Sequence, residues 1–183
     1  MPVDIGRATL EDYPGILELQ AANYLGNLTA QERQGGFLSA EFSSAQIAAM
    51  AADLGIVVAR DGGRVVGYLC AHRADLSPLP PVVEAMLRCA RAAAHRGRAL
   101  AEARLFVYGP VCIERTQRGR GRLRMLYSAL LAQVAGRFEL GVTLVSRDNP
   151  HSLQAHVTGL GMDDVARFEH GGCRYHLLVF DCR

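Results

Sequence analysis

A strand, a glycine-containing loop and an amphipathic helix follow one another without interruption in the second half of the chain. Apolar residues dominate the predicted strand Arg104–Ile113, and they recur at helical spacing from Leu123 to Val134. Between the two, Gly119 and Gly121 allow the backbone to approach a ligand closely. Backbone N–H groups at the start of a helix have no partners within it and attract anions. The arrangement therefore predicts a site for a pyrophosphate or a sugar phosphate at the start of this helix.

Five arginines surround the same loop and add positive charge there: Arg115, Arg118, Arg120, Arg122 and Arg124. The chain contains no lysine, so the lysine of a P-loop nucleotidase is missing, as is the G-x-G-x-x-G pattern of dinucleotide-binding proteins. Two other interpretations stay open, namely a solvated loop that only caps its helix and an arginine patch that binds RNA. The arginine run is short and has no interleaved aromatic residues, which weighs against RNA.

Strand-like and helix-like segments alternate along the chain, which is typical of an α/β layered fold. Asp61-Gly62-Gly63 and His170-Gly171-Gly172 each separate two apolar runs and predict tight hairpins. Gly109-Pro110 interrupts the strand before the arginine-rich loop, and because proline has no N–H we expect a break, a bulge or an unpaired edge there. A proline-led, alanine-rich helix is predicted over Pro78–His95, whereas Asn23–Phe42 has no regular pattern and is expected to be an irregular loop.

The composition limits the class of protein. With 183 residues, half of them apolar and 21% charged, the chain is expected to form one domain over residues 1–183. We expect neither a membrane span nor a signal peptide, because no apolar run reaches about 18 residues and the start lacks a basic, apolar leader. A net charge of +2 argues against a nucleic-acid partner. The five cysteines lack a pairing pattern and metal-ligand spacing, which predicts reduced thiols, a cytoplasmic location and no metal.

The loop Arg118–Leu123 resembles the acetyl-CoA pyrophosphate signature Q/R-x-x-G-x-G/A of the GNAT superfamily of N-acetyltransferases. A second stretch, Asn149–His156, is similar to the family motif in which an asparagine opens a helix and a tyrosine follows seven residues later. The segments Ile5–Asp12 and Arg64–Tyr68 also resemble this family. The resemblance implies an α/β (α+β) fold with a mixed, mostly antiparallel central sheet of about seven strands flanked by helices. A helical insertion, Asp75–Ala103, would lie between strands three and four of that sheet.

The same resemblance implies an N-acetyltransferase that moves an acetyl group directly from acetyl-CoA to the amine of a small molecule or peptide. The residues implied for acetyl-CoA binding are Val111, Cys112, Ile113, Arg118, Gly119, Arg120, Gly121, Arg122, Leu123 and Asn149. Of these, Asn149 also suits a helix cap, and the Cys112 thiol is interpreted as packing because no base is paired with it. The strand end Val111–Ile113 would bind the pantetheine arm and offer a backbone N–H to the thioester carbonyl.

Candidate catalytic residues follow from the same motifs. His156 takes the position of the family's acid, which protonates the departing thiolate, although it also suits the edge of a core. Glu114 is a candidate base for the acceptor amine, and Glu41 is a weaker one. The alternative for Glu114 is an ion pair with the neighbouring arginines.

The chain departs from the family pattern at three points. Leu123 stands where glycine or alanine is usual, His156 replaces the tyrosine, and one extra residue lies between His156 and Gly161. These departures keep a second hypothesis open, a non-catalytic module that binds or senses acyl-CoA. We expect the irregular loop Asn23–Phe42 and the insertion Asp75–Ala103 to shape the acceptor pocket. The sequence leaves open the acceptor, the acyl-chain length and the oligomeric state, with a homodimer as one option.

Overall fold

A mixed, seven-stranded β-sheet forms the centre of the protein in the computed structural model, which describes residues 3–182. The strands of the structure are β1 (Asp4–Arg7), β2 (Ile56–Asp61), β3 (Arg64–Arg73), β4 (Ala94–His95), β5 (Arg98–Ala99), β6 (Leu105–Ile113), β7 (Leu140–Ser146), β8 (Asp163–His170) and β9 (Cys173–Asp181). The order in the large sheet is β1-β2-β3-β6-β7-β9-β8, and β4 pairs with β5 in a separate hairpin. The β6–β7 pair is parallel and the other neighbours in the large sheet are antiparallel, which confirms the predicted fold class.

Helices cover both faces of this sheet. They are α1 (Tyr13–Ala21), α2 (Ala30–Arg33), α3 (Ser44–Asp53), α4 (Pro81–Ala92), α5 (Arg122–Val134) and α6 (Pro150–Gln154), which a π turn continues over Ala155–Gly159. One core lies between the sheet and α1, α3 and α4, and buries Ile16, Ile47 and Met86. The other lies between the sheet and α5, and buries Leu126 and Leu130. None of the helices that the structure describes combines the length and the apolar character needed to cross a bilayer.

The insertion between β3 and β6 contains the predicted helix, α4, and also the β4–β5 hairpin, which the sequence did not predict. The helix is shorter than expected, because it begins at Pro81 rather than at Pro78 and ends at Ala92 rather than at His95. A residue that precedes proline avoids the helical region, and Pro80 and Pro81 therefore keep the chain extended up to the first turn. The expected irregular loop contains the short helix α2, capped by Thr29. Its signal was the capping box Thr29-x-x-Glu32, in which the Thr29 N–H donates to Glu32 Oε2 at 2.8 Å.

A β-bulge interrupts β6 at Gly109-Pro110, where a break or bulge was predicted. Leu69 pairs with Val111 and Ala71 pairs with Tyr108, so two residues of β6 lie opposite one residue of β3. The bulge shifts the alternation of side chains along the strand. Tyr108 before it belongs to the core under α5, whereas Cys112 after it belongs to the core under α1.

Candidate functional site

The two parallel strands in the middle of the sheet separate after a short contact. β6 and β7 are paired from Leu105 to Val107 and from Leu140 to Val142, and no further. Beyond that point, β6 stays paired with β3 up to Ile113, while β7 stays paired with β9 up to Ser146. A wedge therefore opens between the carboxyl-terminal halves of β6 and β7.

Backbone groups of β6 face this wedge without a strand partner. The Glu114 N–H donates to the carbonyl of Val66 in β3 at 2.9 Å, so Glu114 and Val66 form a hydrogen-bonded pair. Hydrogen-bonded and non-hydrogen-bonded pairs alternate along antiparallel strands. The N–H groups of Val111 and Ile113 consequently point away from β3, toward the space that β7 has left.

The loop after β6 ends in an open helix N-terminus. Gly119 and Gly121 have φ values of 72° and 75°, and Gly121 is the N-cap of α5. A Cβ added at either glycine would meet no atom within 4 Å, so the backbone borders open space. In the next residue, Arg122 Nε is buried and has no hydrogen-bond partner within residues 3–182. The loop therefore offers unpaired donors where an anion was predicted to bind.

A cavity of about 340 Å³ joins the loop, the wedge and α6, and we call it the outer cavity. Its lining includes Asn23, Gly35–Leu38 and Ala155, together with most of the predicted binding residues. The predicted residues that line it are Val111, Cys112, Ile113, Arg118, Gly119, Gly121, Arg122, Leu123, Asn149 and His156. Arg120 is exposed and does not line the outer cavity.

The Arg118 side chain donates its hydrogen bonds to other parts of the protein. Its Nε donates to the Ile113 carbonyl at 2.9 Å, its Nη2 donates to Asn23 Oδ1 at 2.8 Å, and its Nη1 donates to the Gly35 carbonyl. Burial lowers the pKa of this guanidinium relative to an exposed arginine. Arg118 therefore ties the loop 35–38 to the end of β6, and its contribution to an anion site is its charge and backbone.

Asn149 is buried and connects two walls of the outer cavity. Its Oδ1 accepts the Ser152 N–H at 3.2 Å, which caps α6, and its Nδ2 donates to the Phe37 carbonyl at 2.8 Å. Both side-chain groups thus have protein partners. The capping role was predicted from the sequence, whereas the contact with Phe37 was not.

His156 lies at the inner end of the outer cavity and is 4% exposed. Its Nδ1 is 2.7 Å from the Ser152 carbonyl, and because a carbonyl only accepts hydrogen bonds, Nδ1 carries a proton. Burial lowers the pKa of His156, so the resting ring is neutral. Its Nε2 then accepts the Tyr108 hydroxyl at 3.1 Å. An acid role for His156 requires that the ring first accept a proton.

The extra residue between His156 and Gly161 is taken up by the π turn, since a π turn contains one residue more than an α turn. The helix still ends in a compact cap, in which the Met162 N–H donates to the His156 carbonyl at 3.1 Å.

Glu114 lies outside the outer cavity, on the surface beside β3. Its Oε2 accepts Arg64 Nη1 at 2.6 Å and its Oε1 accepts the Thr116 hydroxyl at 2.8 Å. The Arg64 hydrogen bond, followed by that of Thr116, lowers the pKa of the Glu114 carboxyl. Glu41 is exposed and likewise does not line the outer cavity. The structure therefore gives Glu114 an ion pair and brings neither carboxylate to the wedge.

The Cys112 thiol points away from the wedge, toward α1. Its Sγ is 3.7 Å from the Leu19 carbonyl, and burial raises the pKa of this thiol to about 12. Such a thiol stays protonated, as expected for a packing residue.

A second cavity of about 90 Å³ continues the outer cavity through the wedge, and we call it the inner cavity. The two share Phe37, Leu38, Val111, Asn149, Ser152 and His156. Tyr108 also lines the inner cavity and was not singled out in the sequence. Its place on β6, one residue before the predicted interruption, was visible in the sequence, but its contact with His156 was not.

Comparisons with known proteins give a fold but no close relative. No protein-family model matches the sequence, and no curated protein matches it. Solved structures do match over nearly the whole chain. An N-acetyltransferase from Staphylococcus aureus Mu50 is 14% identical, with a TM-score of 0.66 over 100% of both chains. The NatC complex bound to Gag peptide and CoA gives 14% identity and a TM-score of 0.67 over 99% of both chains.

A third structure is a GNAT superfamily phosphinothricin acetyltransferase from Sinorhizobium meliloti in complex with AcCoA. It is 18% identical, with a TM-score of 0.63 over 99% of this chain and 89% of its own. At identities of 14% to 18%, these similarities show a shared fold. The protein has the fold of the GNAT acetyltransferases, which is the fold that the resemblance implied.

Proposed function

We propose that this protein, whose fold is that of the GNAT acetyltransferases, transfers an acetyl group from acetyl-CoA directly to the amine of an acceptor. One observation carries the proposal: the wedge between β6 and β7 opens onto the N-terminus of α5 in one continuous cavity. The S. meliloti enzyme of the same fold is in complex with AcCoA, which supports the choice of donor.

In this proposal the loop residues hold the diphosphate of the donor. The N–H groups at Gly119 and Gly121 and the unpartnered Nε of Arg122 supply hydrogen bonds, and the dipole of α5 adds to the attraction. The N–H groups of Val111 and Ile113 bind the pantetheine arm as an added strand would. One of them also polarises the thioester carbonyl.

Proton transfer is assigned to His156 and Tyr108. The neutral imidazole accepts a proton through the Tyr108 hydroxyl, which passes its own proton to Nε2 and takes one from the amine. The resulting imidazolium returns a proton to the departing thiolate. No carboxylate lines the outer or the inner cavity among residues 3–182, which favours the histidine as base.

The overall step balances without another reactant. The amine nitrogen forms a bond with the acyl carbon, the carbon–sulfur bond breaks, and one amine proton ends on the sulfur of CoA. The Ser152 carbonyl, 2.7 Å from His156 Nδ1, stabilises the ring while it is charged.

Calorimetry with acetyl-CoA tests the donor site. Wild type is expected to bind, and Gly121→Trp is expected to lose binding because the indole fills the space in front of the α5 amides. Gly172→Trp is the matched control, since its φ of 76° is nearly that of Gly121 and it lies in the β8–β9 turn, away from the cavities. No binding by wild type up to millimolar acetyl-CoA would refute the assignment.

Thioester consumption with a panel of amines tests the transfer itself. Release of CoA that depends on an amine is the expected result. Tight binding without turnover for every amine would instead favour the second hypothesis, a module that binds or senses acyl-CoA.

A further inference from the structure

The inner cavity passes from one face of the sheet to the other. Tyr108 and His156 lie on the face covered by α5 and α6, whereas Val83 and Met86 of α4 reach it from the opposite face. The outer cavity, with the open N-terminus of α5, joins the inner cavity on the face covered by α5 and α6. An acceptor that meets the thioester in the wedge would therefore place the rest of its structure toward α4.

The lining of the inner cavity contains no Asp, Glu or Arg side chain among the residues that the structure describes. Its walls on the α4 side are apolar: Phe42, Val83 and Met86 are 3%, 6% and 1% exposed. The polar groups there are uncharged, such as the Thr143 and Ser146 hydroxyls at the β7 wall. With a volume of about 90 Å³, the space is smaller than a cavity of about 150 Å³ that takes up benzene.

We propose that the acceptor is a compact amine whose remaining part is apolar and uncharged, of a few carbon atoms, and that Val83 and Met86 select it. This inference rests on the proposed function. A second charge at the far end of the acceptor, of either sign, would be buried beside the apolar α4 wall, where no Asp, Glu or Arg side chain of the described residues lines the inner cavity. Burying an unpaired charge costs far more than the apolar contacts of a few methylene groups return.

Three amines built on four carbon atoms give the sharpest test on the wild-type protein. Butylamine, 4-aminobutyrate and 1,4-diaminobutane each have four carbon atoms and a primary amine. Their fourth carbon is a methyl group, a carboxylate and a methylene that carries a second ammonium, respectively. We expect kcat/KM for butylamine to exceed both others by at least about 100-fold, measured as amine-dependent CoA release with acetyl-CoA.

A pair of variants at Met86 tests where the selection occurs. Met86→Glu places a carboxylate on the α4 wall, and Met86→Gln has nearly the same shape without the charge. Met86→Glu is expected to raise kcat/KM for 1,4-diaminobutane relative to butylamine at least about tenfold, while Met86→Gln keeps the wild-type order. Thermal melting shows whether each variant is folded, and the three-amine comparison on wild type does not depend on either.

The outcomes separate this inference from the proposed function. Equal or better use of either charged amine overturns the inference and leaves the transferase proposal intact. If calorimetry shows acetyl-CoA bound and none of the three amines reacts, the acceptor class is wrong and the donor site stands. A preference for butyryl-CoA over acetyl-CoA without any preference among amines assigns the inner cavity to the acyl chain and also overturns it. Failure of acetyl-CoA to bind ends both proposals.

Discussion

The Arg118 side chain connects three separate parts of the chain beside the outer cavity. Its partners are the carbonyls of Ile113 and Gly35 and the amide of Asn23, which lies 95 residues earlier. A loop signature in a sequence indicates exposed backbone amides, because these follow from glycine and a helix start. It gives no indication of where a side chain finds distant partners. The open start of helix α5 was therefore predictable, and the structural role of Arg118 was not.

Arg118→Ala is expected to lower the free energy of unfolding by about 2 to 3 kcal/mol, because it leaves two carbonyls and an amide oxygen without their charged donor. Arg120→Ala is the matched control, since Arg120 is exposed and donates no hydrogen bond within the described residues, and its effect should stay within about 0.5 kcal/mol. Urea unfolding measures both. Equal effects at the two positions would contradict the bridging role.

The contact between Tyr108 and His156 leads to a second prediction at this scale. Tyr108→Phe and His156→Phe are each expected to lower kcat about 100-fold or more, with acetyl-CoA affinity unchanged, because each removes one member of the proton path. Tyr68→Phe is the matched control: Tyr68 is equally buried, lines neither cavity, and its hydroxyl has no partner among residues 3–182. Turnover unchanged in Tyr108→Phe would exclude the relay.

Two elements, β6 and the helix α6 with its π turn, position Tyr108 and His156. Gly109-Pro110 predicted an irregular strand because proline cannot donate to a ladder, and the bulge indeed occurs there. Tyr108 and Cys112 face opposite cores. Which core each residue faces depends on the register between β6 and β3, so the sequence of β6 alone does not predict it. Likewise the extra residue before Gly161 was visible in the sequence, but its accommodation as a π turn follows from the packing around His156.

Two substitutions at Asn149 separate the cap of α6 from the link to the loop 35–38. Asn149→Ser keeps an oxygen for the Ser152 N–H and loses the donor to the Phe37 carbonyl, whereas Asn149→Ala loses both. Urea unfolding is expected to show a loss for Asn149→Ala that is larger than that of Asn149→Ser by about 1 kcal/mol, the usual value of a helix cap. If Asn149→Ser is as stable as wild type, the contact with Phe37 contributes nothing.

For the molecule as a whole, the strands and hairpins could be predicted because apolar alternation and glycine-containing turns are local signals, whereas the mixed seven-stranded sheet was implied only by the family resemblance. The β2–β3 turn at Gly62-Gly63 and the β8–β9 turn at Gly171-Gly172 both occur as expected. The division into two cores, and the buried polar groups within each, depends on contacts between distant segments. His72 and His156 illustrate this: His72 lies fully buried on β3, 84 residues before His156, which lies in the π turn after α6.

Both histidines are expected to make stability fall between about pH 7 and pH 5. Burial lowers the pKa of each below its ordinary value of 6.5, so below that pH the unfolded chain binds more protons than the folded one. Stability is then complete above pH 6.5 and declines by up to about 1.4 kcal/mol per pH unit for each histidine as the pH falls. The carboxyls of Asp12, Glu114 and Asp163 also have lowered pKa values, and their contribution is lost only near pH 4 and below.

Urea unfolding at pH 7.5, 6.5 and 5.5 measures the slope, which His72→Phe and His156→Phe should each reduce. Because the two rings belong to different parts of the structure, their effects on the slope should add, and a wild-type curve that is flat over this range would show that neither ring is held neutral by burial.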